Sequence, residues 1–70
     1  MMPLTFAKEG ETTNIVRIGG KEDVRRFLES LGFVVGAQVM VVSANGGNVI
    51  VNVKDSRVAI SREMASKIMV

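Results

Sequence analysis

Cysteine, histidine, tryptophan and tyrosine are all absent from this sequence, and proline occurs once. Without cysteine no disulfide can form. That absence is compatible with a reducing compartment and proves none. Without cysteine and histidine the usual zinc donor sets are lost, and tight transition-metal sites of other kinds also depend on imidazole or thiolate. Nucleophilic catalysis loses its common base: Ser30, Ser43, Ser56, Ser61 and Ser66 have no histidine to activate them, which leaves only a lysine base. Two acidic pairs occur, Glu9/Glu11 and Glu22/Asp23. Neighbours in a helix point apart, so Glu22 and Asp23 complement the helix dipole rather than sharing a proton. Glu9 and Glu11 flank a turn glycine and read as solvated. No catalytic residue, no metal ligand and no cofactor is expected, and the chain reads as a non-enzyme.

Long apolar runs are missing too. No charged residue occurs from Ser30 to Val53, yet Ser30, Gly32, Gly36, Gln38, Ser43 and the Asn45-Gly46-Gly47-Asn48 tract interrupt that stretch. It falls short of the ~18 continuous apolar residues of a spanning helix, so a membrane-embedded chain is not expected. The opening "MMPLTFAKEGE" has no basic region followed by an apolar one, so no secretory signal is expected. Gly19-Gly20 precedes a helix, but the phosphate-loop pattern is lacking and Glu22-Asp23 would repel a phosphate. The net charge of +2 is a mild excess, and three phenylalanines are the only aromatic side chains on which bases could stack. No nucleic-acid partner is expected. The same scarcity argues against a groove for proline-rich peptides, because such grooves are aromatic-lined.

What is present is a regular alternation of short elements in a chain of 70 residues, one domain at most. Pro3, Leu4 and Phe6 form an apolar head, and Lys8 to Glu11 reads as a turn. Thr12 to Ile18 is rich in β-branched residues and predicts a strand. Glu22 to Leu31 predicts a helix, with Val24, Phe27, Leu28 and Leu31 as its apolar stripe and Gly32 at the left-handed position after its end. On this reading Phe27 belongs to the core. Gln38 to Ser43 and Val49 to Val53 predict a hairpin around the Asn-Gly signal. A two-residue loop would place Met40 and Val42 with Val49, Val51 and Val53; a three-residue loop would place Val39 and Val41 there instead, since one residue of slip exchanges the faces. Either register leaves "VMVV" apolar on both sides, and some exposed apolar surface is expected. Asp55-Ser56 reads as the next turn and Arg57 to Ile60 as a short strand. Ser61 is a candidate N-cap for a short final helix, and Ile68 to Val70 could continue as helix or leave as a strand. The pattern fits a mainly β fold with one or two short helices, either a small β-barrel with a helix at one opening or an open α+β sheet.

A binding module remains. Its best candidate surface is the uncharged step Phe33-Val34-Val35 together with the solvent side of the helix, Arg25, Arg26 and Glu29. Three consecutive residues in an extended step cannot all face inward, although Phe33 could equally cap the barrel end.

The order of these pieces resembles the FeoA family. "PLT" at Pro3 to Thr5, "IVRI" at Ile15 to Ile18, "RRFLESLGFVVGAQV" at Arg25 to Val39 and "RVAISREMASKIMV" at Arg57 to Val70 carry the resemblance over nearly the whole chain. It implies an SH3-like β-barrel with the helix inserted after the first strand. It also implies a cytoplasmic accessory protein of ferrous iron uptake whose partner is a FeoB-type membrane transporter, contacted at its cytoplasmic GTPase region or its membrane domain. The family also carries a general label of transition-metal binding. Two other readings follow from the residues alone: a small nucleic-acid-binding barrel, and a module that self-associates, as a weak homo-oligomer, through the apolar strand.

Overall fold

The computed structural model describes residues 1–70. The β-branched stretch expected as one strand makes two, β1 (Thr12–Asn14) and β2 (Arg17–Ile18). The break is a corner. Ile15 N–H donates to Ala37 O at 2.9 Å, while the next amide, Val16 N–H, turns to Met69 O at 2.8 Å. The chain thus changes partner within one residue, burying Ile15 and leaving Val16 outside.

Helix α1 (Glu22–Ser30) follows, with Glu22 and Asp23 in its first turn. Leu28 is fully buried, and Val24 and Leu31 pack against the core. Phe27, expected in that core, is 49 % exposed. At 100° per residue it stands about 70° from the centre of the stripe made by Val24, Leu28 and Leu31. The aromatic place in the core belongs instead to Phe33. The helix end explains this. Gly32 (φ +106°) donates its N–H to Glu29 O at 3.0 Å, and Phe33 N–H donates to Leu28 O at 3.0 Å. These two bonds form a complete Schellman ending, which brings the residue after the glycine back onto the last inward turn of the helix.

β3 (Gln38–Ala44) and β4 (Asn48–Val53) form the expected hairpin, and its register combines both expectations. Asn45 N–H bonds Asn48 O at 3.0 Å across Gly46-Gly47, and Ala44 pairs with Val49, as a two-residue loop requires. A bulge at Val42 then shifts the ladder, so that Val41 meets Val51 and Val39 meets Val53. One extra residue in a strand reverses the facing of everything beyond it. Val39, Val41, Val49, Val51 and Val53 are therefore all buried, while Met40 and Val42 are half-buried. The outer side of "VMVV" is a partly covered surface rather than an open apolar face.

β5 (Ser56–Ser61) continues the sheet in the order β1-β3-β4-β5. The preceding turn is Lys54-Asp55, one residue earlier than expected, with φ of +49° and +61°. Two positive φ values are what a two-residue hairpin turn of this hand demands, and non-glycine residues adopt them at a cost. Asp55→Gly should raise stability by about 0.5–1 kcal/mol, read as a thermal midpoint a few degrees higher; an unchanged or lower midpoint would refute this reading of the turn. A second relaxation is available at Thr13, whose Oγ1 is buried without a hydrogen-bond partner. Thr13→Val keeps the shape and removes the unpaired hydroxyl. It should stabilise by about 1 kcal/mol, or ~4–8 °C in a domain of this size.

Ser61 caps helix α2 (Arg62–Ala65), accepting from Met64 N–H at 3.1 Å as the sequence suggests. The chain then leaves as strand β6 (Ile68–Met69), which pairs antiparallel with β2. Met2 and Val70 exchange backbone bonds at 2.8 Å, so the N-terminal segment extends this second ladder. The barrel is thus built from two ladders joined at the Ile15-Val16 corner. It is not a closed ring of strands, because α2 occupies the seam between β5 and β6. Leu4, Ile15, Leu28, Phe33, Ile60, Ala65, Ile68 and the five valines fill its centre.

Candidate docking site

The ending of α1 and the corner at Ile15-Val16 lie side by side. After Phe33 the chain passes through Val34 and Val35 and turns at Gly36, which adopts φ +91°. Gly36 N–H bonds Ile15 O at 2.8 Å, and Ala37 N–H bonds Val34 O at 3.0 Å. These bonds hold a tight turn against the corner. Within it the three apolar residues separate: Phe33 is fully buried, Val34 is half-buried and Val35 is 67 % exposed. Phe33 was a candidate contact residue. Its side chain has no free area to offer a partner, because the Schellman ending directs it onto Leu28 in the core.

Val35 stands at the mouth of an open cleft of about 380 Å³ between β2 and α1. Val16, Arg17 and Ile18 form one side of the cleft, and Arg25 and Glu29 the other. Val16 is 54 % exposed, so two branched apolar side chains lie uncovered at one place. Arg25 and Glu29 are four residues apart and share a face of α1. Arg26, also a candidate, does not line the cleft. It points to solvent and pairs with Glu22 at 2.8 Å, both side chains about three-quarters exposed, so the pair contributes at most ~0.5 kcal/mol. It is the only ion pair within 4.0 Å, and Arg17 and Arg25 are therefore without a carboxylate partner.

The structure thus gathers Arg25, Glu29 and Val35 and adds Val16, Arg17 and Ile18, which sequence reasoning missed. The available signal was strand alternation: once Ile15 is assigned inward, Val16 must face out. Phe27 lies on the opposite flank of α1 and lines neither concavity.

A larger open groove of about 740 Å³ runs over the outer face of the four-stranded sheet. Its floor is a row in register across the strands, Thr12, Met40, Asn52 and Arg57. Arg57 Nε approaches Asn52 Oδ1 at 3.5 Å. Ala37, Val39, Met40 and Val53 supply its apolar lining, and each is buried or half-buried beside the polar and charged side chains. The smaller cleft is the stronger docking candidate, because there uncovered apolar side chains adjoin unpaired cations. No three of the acidic side chains gather into a group that could hold a metal ion, and no helix is long and apolar enough to cross a membrane.

The FeoA domain family profile matches residues 2–70. This chain belongs to the FeoA family. Its identity is 40 % over 70 residues with a protein of Methanocaldococcus jannaschii named as Fe(2+) transport protein A, spanning all of this chain and 85 % of that one. A crystal structure of an iron uptake regulatory protein, FeoA, superposes with a TM-score of 0.90 at 29 % identity, over 97 % of this chain and 92 % of that chain. The FeoA of Stenotrophomonas maltophilia, crystallised with zinc and described as a procaryotic SH3 domain protein, superposes with a TM-score of 0.85 over 99 % of this chain and 88 % of that one. At 23 % identity it speaks for the fold alone, and that fold is SH3-like. The FeoA family is involved in ferrous iron transport.

Proposed function

We propose that this FeoA domain is a non-enzymatic, cytoplasmic accessory protein of ferrous iron uptake. It docks on the cytoplasmic part of a FeoB-type membrane transporter through the cleft between β2 and α1. The observation that carries the reading is the pair Val16 and Val35, both more than half exposed and flanked by the unpaired Arg17 and Arg25. Uncovered branched side chains beside unpaired cations are the composition of a protein contact, with an apolar centre and a charged rim that sets orientation. Arg26 and Val34 would form the outer margin of the contact. The role suggested for the Stenotrophomonas protein, a ferrous iron transport activating factor, agrees with docking on the transporter.

The test is a titration of isotope-labelled protein with the soluble GTPase region of the cognate transporter, following backbone amides. Shifts concentrated on residues 16–20, 25–29 and 34–36 are expected. Shifts confined to the outer face of the four-stranded sheet would move the site to the larger groove, and no shift with either the GTPase region or the full transporter would end the reading.

A further inference from the structure

We propose that the partner enters this cleft as an extended acidic segment that adds a strand to the open edge of β2; the inference rests on the docking reading above. Gly19 N–H donates to Lys67 O at 2.7 Å. With Ile18 opposite Ile68, that bond makes Ile18–Ile68 the pair that exchanges no hydrogen bonds. The N–H and C=O of Ile18 therefore point away from β6, toward the side where the cleft lies, and neither joins any turn, loop or cap bond.

The place beside them is vacant for a reason. The chain that lines β1 reaches Ile15 through the Gly36 N–H and the Ala37 carbonyl, then turns away at Gly36 instead of continuing along β2. An added strand would occupy the position this turn leaves free, completing the unmet donor and acceptor of Ile18.

The side chains specify the occupant further. Val16 and Val35 offer contact to a branched apolar residue. Arg17 and Arg25 have no carboxylate within 4.0 Å, and Glu29 is the single acid at the cleft. A segment with an apolar residue between carboxylates satisfies both features. An α-helix bonds its own N–H and C=O groups internally and would leave those of Ile18 unmet.

The probe is a blocked peptide, Glu-Val-Thr-Val-Glu, titrated into the labelled full chain, with Lys-Val-Thr-Val-Lys as its charge-reversed control. The acidic peptide should shift the amides of Val16 to Gly20, Arg25 and Val35, and the Ile18 N–H should gain more protection from hydrogen exchange on binding than any other amide. The double variant Arg17→Glu/Arg25→Glu, both exposed, should weaken the acidic peptide about fivefold to tenfold, as two solvent-exposed ion pairs would, and favour the lysine peptide. Absence of acidic-peptide binding, equal binding of both peptides, or shifts without protection of Ile18 would each overturn the proposal. Shifts at Ile18 that grow with protein concentration alone would overturn it in favour of a second copy as occupant. The two readings can fail separately. If the GTPase region shifts the cleft but leaves Ile18 unprotected, docking stands and strand addition falls.

Discussion

A Phe33→Ala variant is expected to lose about 3–5 kcal/mol of stability, the usual cost of removing a buried aromatic ring. A domain of this size holds only ~4–10 kcal/mol in total, so the variant should sit near the unfolding threshold, its thermal midpoint lower by at least ~12 °C. Every part of that expectation rests on the end of α1. The left-handed Gly32 lets Gly32 and Phe33 bond back to Glu29 and Leu28, and the ring is thereby delivered into the core with none of its surface exposed. The conservative Phe33→Leu change should cost less than half as much. Chemical or thermal denaturation of the three proteins decides the matter. If Phe33→Ala shifted the midpoint by less than ~4 °C, the ring would not be core, and its assignment as a docking residue would return.

The second large effect concerns binding. Arg25→Glu combined with Val35→Asp should leave the midpoint within a few degrees, because both side chains are exposed in the free protein. Docking on the transporter should nonetheless weaken about 30-fold to 1,000-fold. The new carboxylate at Val35 would be desolvated against an apolar partner surface, and that at Arg25 would oppose the partner's acidic groups; together these cost ~2–4 kcal/mol. Arg57→Glu, on the outer face of the four-stranded sheet, is the control and should leave docking within about twofold. Calorimetric or optical binding titrations of the variants against the transporter's soluble region measure this directly. Equal affinities for wild type and the double variant would remove the cleft as the contact, and a loss with Arg57→Glu alone would relocate it to the larger groove.

Features that depend on a few adjacent residues could be read without the structure. The helix from Glu22, its glycine ending, the turn at Gly46-Gly47 and the Ser61 cap each use neighbours within about four positions, and each appears where the sequence places it. The family pattern was legible for the same reason, being a string of such local signals. The candidate site was legible only in part. Arg25, Glu29 and Val35 line the cleft as a surface of α1 and the following turn, but Val16, Arg17 and Ile18 come from a strand read simply as β structure.

The sequence by itself determined where the helix from Glu22, the central hairpin and the Ser61 cap fall, while leaving Ile68 to Val70 open between helix and strand, and it excluded disulfides and histidine or thiolate metal sites, because those follow from residue types and short-range geometry. The tertiary structure alone decided which face of each element is covered. Phe27 and Phe33 are equally apolar, yet only the ring that the helix ending turns inward finds a cavity to fill. The valines of β3 face the core through a bulge whose position depends on the strand opposite. The split of the first strand at Ile15-Val16 depends on the arrival of β6 from the far end of the chain. Burial is a property of two layers meeting, so it is settled by partners distant in sequence, and the cleft exists because one such partner turns away at Gly36.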